Sequence, residues 1–306
     1  NTLIFPAHEQ HHNNSFLCAA TVMGQSNIAA GATIGSNHNS RSADGEIVAG
    51  RGFWPGLCVS LKHNSKFATF TILAKSDYPA ELNITIPFCL VSNDIANNRL
   101  VVMPGYWFMY NMYALSRNTW KYADRDRRTE KIQIIEYDYL APDTINEIFN
   151  AIKIMRKLSS DEDGCYYIDG FENSNRKVEI TKLPEALKLF TDLIIFYGVT
   201  QLLEHIRTNN FTSFDEIKKS IPAKITRSEW INVGGQLMKT TDVEKVKQQI
   251  RSGKTQSWQQ VHAMYKKIGG DYPADKLDHS YTSLLEILKI TSKQFTPDVF
   301  KTVLQN

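Results

Sequence analysis

Apolar positions in the first ninety residues recur at an interval of six. Val22, Ile28 and Ile34 form one series, Ile47, Phe53 and Val59 a second, and Ile72, Tyr78 and Ile84 a third. The series are offset by 25 positions, Val22 to Ile47 and Ile47 to Ile72. A spacing of six suits neither a helix, with a repeat of about 3.6, nor an alternating strand, with a repeat of about 2. It predicts a parallel β-helix with three short faces per coil, each placing one aliphatic side chain inward. Gly24, Ala30, Gly31 and Gly35 stand at the corners. Eighteen residues complete a coil and seven remain for a loop that leaves at the same corner each time. The six-residue period and the corner glycines point to the left-handed, hexapeptide kind, occupying residues 1–94. Two alternatives stay open. One is a right-handed parallel helix, the usual hand of parallel connections. The other is a set of antiparallel strands, which the poor period-two alternation disfavours.

The pattern stops at Ser92-Asn93-Asp94, and residues 95–306 read as a mainly α-helical domain with one small β-hairpin. An aromatic-rich helix is predicted from Gly105 to Ala123, and a strand from Lys131 to Leu140. Pro142-Asp143 opens a helix whose apolar stripe is Ile145, Ile148, Phe149, Ile152 and Met155. Residues 165–181 read as a hairpin turning at Asn173-Ser174-Asn175. A long apolar helix follows over 184–208. Shorter helices are predicted over 213–220, 242–251, 257–268 and 277–292, and a last one opens at Thr296-Pro297-Asp298.

Composition narrows the class of protein. The 306 residues are 42% apolar and 22% charged, with a net charge of +3. Such a small charge gives no argument for a nucleic-acid or membrane partner. The four cysteines, Cys18, Cys58, Cys89 and Cys165, form no CxxC pair and no metal-ligand spacing. Together with the lack of an uninterrupted apolar run of about 18 residues, this gives a cytoplasmic expectation. The chain begins at Asn1 in strand-like sequence, and a β-helix end needs a cap. Upstream coils of a longer parent, or a partner subunit, are the expected cover.

The 25-residue frame also aligns polar residues. Asn14-Ser15, Asn39-Ser40 and Asn64-Ser65 share columns, as do His38 and His63, and Arg41 and Lys66. Equivalent residues of adjacent coils stack about 4.8 Å apart, so His38 and His63 are expected as neighbours flanked by Asn39 and Asn64. An imidazole there is a candidate general base. Arg41, Lys62 and Lys66 are candidate phosphate contacts. The competing reading is a purely structural His/Asn ladder. A metal site would need a third ligand, which only His11 or His12 offers. A second constellation places Arg117, Lys121 and Arg125 one helical turn apart, interleaved with Trp107, Tyr110, Tyr113 and Trp120. It suits either nucleotide gripping or domain docking. His205, His262 and His279 read as surface or packing residues, and no metal site is expected.

The segment Ile28-Ala-Ala-Gly-Ala-Thr-Ile34-Gly-Ser-Asn-His38-Asn39 resembles the hexapeptide-repeat transferases, over about residues 15–92. The run Pro104-Gly-Tyr-Trp-Phe-Met-Tyr-Asn-Met-Tyr-Ala-Leu-Ser-Arg-Asn-Thr-Trp120-Lys121 is similar to the C-terminal half of an uncharacterised bacterial family joining such a β-helix to a helical domain. The first resemblance implies transfer of an acyl group, or alternatively a nucleotidyl group as in the sugar nucleotidyltransferases, to a sugar or nucleotide-sugar acceptor. It also implies acyl-CoA as donor, a trimer, and His38 or His63 as base. The alternative is a non-catalytic scaffold or ligand-binding module.

Overall fold

A computed structural model describes residues 2–10, 14–35, 46–221 and 226–305. Among the described residues thirteen short strands precede the first helix. They are β1 (Thr2–Ile4), β2 (Phe16–Leu17), β3 (Ala20–Val22), β4 (Thr33–Ile34), β5 (Ile47–Ala49), β6 (Trp54–Pro55), β7 (Ser60–Leu61), β8 (Lys66–Phe67), β9 (Ile72–Leu73), β10 (Asp77–Tyr78), β11 (Asn83–Ile84), β12 (Leu90–Asp94) and β13 (Arg99–Met103). Next come α1 (Tyr106–Tyr110), α2 (Met112–Asp124), α3 (Pro142–Met155), β14 (Tyr166–Tyr167), β15 (Lys177–Ile180), α4 (Leu183–Asn209) and α5 (Phe214–Ser220). The chain ends with β16 (Trp230–Val233), β17 (Gln236–Lys239), α6 (Thr240–Arg251), α7 (Trp258–Leu288), a 3-10 turn at Ser292–Gln294, and α8 (Pro297–Gln305).

The strands form one sheet ordered β1-β3-β5-β8-β11, a second ordered β10-β7-β4-β2, and a third ordered β14-β15-β13-β12-β9-β6. The first two are parallel throughout. The third mixes parallel pairs with the antiparallel pairs β12/β13 and β14/β15. No helix separates β1 to β13 among the described residues, so each parallel pairing among these strands is reached by way of the other sheets, whereas α1 to α3 intervene between the parallel strands β13 and β15.

The expected fold class is corrected by this arrangement. In place of a left-handed parallel β-helix followed by a mainly helical domain, the described residues form an α/β mixture of mostly parallel sheets and eight helices. The 25-residue frame is not the pairing register. Thr2 pairs with Ala20, Val48 with Lys66 and Lys66 with Asn83, at shifts of 17 or 18 residues, while Ala20 pairs with Ile47 and Thr33 with Ser60 at a shift of 27. Ile72 shows the slip. It pairs with Trp54, not Ile47, and is only partly buried, whereas its neighbour Leu73 is fully buried. Register follows loop length and backbone hydrogen bonding, and a one-residue slip exchanges the buried and exposed faces. Strands β13 to β15 extend the third sheet well beyond residue 94.

The chain forms two compact units, Asn1–Arg127 with Glu147–Leu189, and Arg128–Asn146 with Phe190–Asn306. The first contains the three sheets. Its core holds Val22, Ile28, Ile34, Ile47, Phe53, Val59, Leu73, Tyr78 and Ile84. Gly52 sits at a φ of +73°, and a Cβ there would meet the Phe70 ring at 2.2 Å, so the site admits only glycine. The second unit packs Leu202, Tyr281, Leu284, Leu285 and Phe295 together. It also carries the hairpin β16–β17, which the sequence reading missed.

Several local expectations change. Residues 131–140 form no strand. That segment is pinned by polar bonds, including Ile134 N–H to the Gln236 carboxamide oxygen at 3.1 Å. The two helices expected over 257–292 are one, α7, with Pro273 inside it. Helix α4 is long and apolar enough to cross a membrane by length and composition. Lys188 and Asp192 interrupt its apolar run, which is why a search for uninterrupted stretches passes over it. Its Phe190, Ile194, Tyr197 and Leu202 are buried within the protein.

Candidate functional site

The first unit holds a cavity of about 280 Å³ beside β7 and β10. These strands pair in parallel, Ser60 with Asp77 and Leu61 with Tyr78. Lys62 and His63 follow β7 and line the cavity with Ser60 and Asp77. Their turn is held by Ser65, whose buried hydroxyl donates to the Lys62 carbonyl at 2.8 Å and accepts from Leu82 N–H at 3.0 Å. Asn64 takes a left-handed φ of 65°, a conformation asparagine tolerates better than most residues. Behind the cavity, the Tyr78 hydroxyl contacts the carbonyls of Ala74 and Val91 at 2.9 and 3.0 Å. Burial raises its pKa, so it stays a neutral donor. Asn93 donates to the Asp77 carbonyl at 2.8 Å and is held by Arg176 at 2.6 Å.

The structure divides the residues singled out from the sequence. Lys62 and His63 share the cavity. Asn64 is an exposed turn residue, and Lys66 is exposed on β8. His38, Asn39 and Arg41 lie outside the described residues. On α2, Lys121 bonds Glu9 at 2.6 Å and lies over the Tyr122 ring at 4.7 Å, while Arg117 is exposed. The aromatic residues of that region also part company. Trp107 is buried and donates to the Phe70 carbonyl at 2.6 Å, whereas Tyr113 and Trp120 are exposed. Among the described residues no group of three or more His, Cys, Asp or Glu is placed to hold a metal ion. Neither Asp77 nor Ser60 stood out in the sequence: only strand pairing brings Asp77 beside residues 62 and 63, and Ser60, though adjacent in the chain, belongs to no motif.

The second unit contains a buried polar network that no sequence motif announced. Asn146 donates to the Ser228 carbonyl at 2.9 Å, which fixes its amide orientation. Its oxygen then accepts from Arg227 and from His279 Nε2 at 3.0 Å. His279 Nδ1 is left to accept from the Tyr197 hydroxyl at 3.3 Å. Burial, with the Arg227 charge nearby, lowers the His279 pKa to about 3, so the ring is neutral. Nearby, the buried Lys276 ammonium donates to Glu136 at 2.7 Å and Asp138 at 3.0 Å. Burial pulls its pKa down, but the two carboxylates outweigh that and hold it above the usual lysine range. A lysine so held is a fixed cation, not an amine nucleophile.

No protein-family model matches the chain, and no solved structure matches it. The chain is similar to a protein from Treponema pallidum (strain Nichols) bearing the name "Uncharacterized protein", with 43% identity over 317 residues. The match takes in 94% of this chain and 43% of the relative. The chain therefore spans less than half the length of the curated relative it matches.

Proposed function

We propose that this chain is a ligand-binding module whose first unit takes a small hydroxylated, phosphate-bearing molecule of the sugar or nucleotide-sugar class. One observation carries the reading: Lys62, His63, Ser60 and Asp77 converge on one cavity of about 280 Å³. An ammonium suits a phosphate, and imidazole, hydroxyl and carboxylate groups suit sugar hydroxyls. Ser60 and Asp77 stand on the paired strands, and Lys62 and His63 follow in the turn that Ser65 holds, so the ligand groups are carried by a hydrogen-bonded frame. A melting-temperature screen with nucleotide sugars tests it. A ligand at about 100 times its Kd adds about 2.7 kcal/mol to native stability. The response is expected to fall at least tenfold in affinity for Lys62→Ala and Asp77→Asn. A panel without any shift, or shifts that both variants retain, overturns the reading.

A second reading is acyl transfer from acyl-CoA to a sugar hydroxyl. Two observations favour it: the imidazole of His63 lines the cavity, and residues 28–39 resemble the hexapeptide-repeat transferases in sequence. There His63 would take the hydroxyl proton as the oxygen attacks the thioester carbon and the CoA thiolate leaves. Release of free CoA in the presence of the acceptor, abolished in His63→Ala, is the expected result. Full turnover in that variant refutes it.

A further inference from the structure

The second unit contains a larger cavity, of about 560 Å³, between α4 and α7 with Ser220 of α5 at its edge. Its volume falls in the range of small-molecule sites, about 300–1,000 Å³. The two helices are drawn together at Gly198, where a Cβ would meet Leu284 Cβ at 2.7 Å. Farther along they leave the cavity open, bordered by Glu204 and His205 of α4 and by the α7 turn from Tyr272 to Asp278. Pro273 has no N–H, so α7 loses one rung of its ladder at the cavity wall.

The hydrogen bonding at the rim excludes nucleophilic catalysis by its serine. His205 Nε2 lies 2.9 Å from Ser220 Oγ, a spacing that suits a serine–histidine pair. Asn209 Nδ2, however, donates to the His205 carbonyl at 2.9 Å and meets His205 Nδ1 at 3.1 Å. In the neutral ring Nδ1 is therefore the acceptor, and Nε2 carries the proton. Ser220 receives that proton's hydrogen bond and passes its own hydrogen to the Ile217 carbonyl at 2.8 Å. No base faces the hydroxyl, so the cavity is built for binding.

Its charge selects the ligand. The Lys276 ammonium at the wall is already matched by Glu136 and Asp138. Lys239 is engaged by Asp275 at 2.7 Å and Asp242 at 3.6 Å. Among the described residues, no ion pair or side-chain hydrogen bond reaches the carboxylates of Glu204 or Asp278. Partial burial and the neighbouring Asp275 charge raise the Asp278 pKa, with Lys239 offsetting only part of the effect. Leu277, Ala274 and Pro273 supply apolar surface between the acids.

We propose that this cavity binds a small aliphatic amine or diamine, its ammonium groups meeting Glu204 and Asp278 and its alkyl chain lying on Leu277 and Ala274. The site is separate from the Lys62–His63 pocket, and its test does not depend on that reading. The full chain is titrated calorimetrically with diaminoalkanes of three to five carbons, with butane-1,4-diol and with succinate. The diamines are expected to bind and the diol and succinate to give no heat. Glu204→Gln and Asp278→Asn should each weaken the diamine at least tenfold. Glu162→Gln, an exposed acid in a turn of the other unit, should leave it unchanged and so exclude a bulk-charge effect. Absence of diamine heat at millimolar concentration overturns the proposal. So does succinate binding as tightly as the diamine, or wild-type affinity in both cavity variants. Both substitutions are at exposed positions, and near-ultraviolet circular dichroism confirms that the variants fold.

Discussion

Acidification should destabilise the second unit through His279. The imidazole is 2% exposed and is bonded through Nε2–H to Asn146 and through Nδ1 to Tyr197. Trp230 packs edge-on against it at 6.1 Å. Its native pKa of about 3 lies far below the ordinary 6.5 of the unfolded chain. The unfolded state therefore binds the proton first as pH falls, and native stability is complete only above about 6.5. Linkage gives a loss of about 2 kcal/mol between pH 7 and pH 5 from this residue. Any native pKa well under 5 gives the same figure, because the folded ring stays neutral at both pH values. Urea unfolding at the two pH values, followed by tryptophan fluorescence, measures it. His279→Gln removes the titrating group, so its loss over that range should be about 2 kcal/mol smaller than that of the wild type. The pH responses of Asp278 and His8, whose pKa values are also shifted, cancel in that difference. Equal losses in the two proteins, or the His279 imidazole seen by NMR to titrate above pH 5 in the native wild type, would refute the reasoning.

Three further substitutions probe the packing. Gly198→Val puts a branched side chain where even a Cβ meets Leu284 at 2.7 Å, and should cost about 1–3 kcal/mol in urea unfolding. Lys276→Met leaves the buried Glu136 carboxylate without its cation and should cost about 3–5 kcal/mol, with much of the loss recovered in the double variant with Glu136→Gln. A loss under about 1 kcal/mol would mean that water reaches the pair. Tyr122→Phe removes a buried hydroxyl that has Glu9 as polar neighbour but forms no geometrically complete hydrogen bond among the described residues, so it should leave the melting temperature unchanged or raise it. A clear drop would mean that the hydroxyl is bonded in solution.

Much of the local structure follows from the sequence by itself. The aliphatic positions Val22, Ile28, Ile34, Ile47, Phe53 and Val59 are all buried, because a side chain's cost in water is a property of the residue. The helices expected at Ser213 and Ser257 begin with capping boxes to Glu216 and Gln260, since caps are satisfied within a few residues. The antiparallel pairing expected within residues 165–181 forms between β14 and β15. Of the candidate site, Lys62 and His63 were legible as chemistry-bearing residues in a turn. What they face was not.

Tertiary structure alone decided the rest. Strand register depends on where loops return the chain, so the 25-residue spacing of similar residues gave way to shifts of 17, 18 and 27. Asp77 reaches the cavity of His63 only through pairing of β7 with β10. Residues 131–140 alternate as a strand would, but polar anchors such as Glu136 to Lys276 and Ile134 to Gln236 hold them without one. Arg227, Asn146, His279 and Tyr197 come from separate stretches of chain, and nothing in their spacing marks them as one network. Sequence determined which side chains would leave water. Only the folded chain determined which of them would meet, because pairing energies are collected between residues far apart along it.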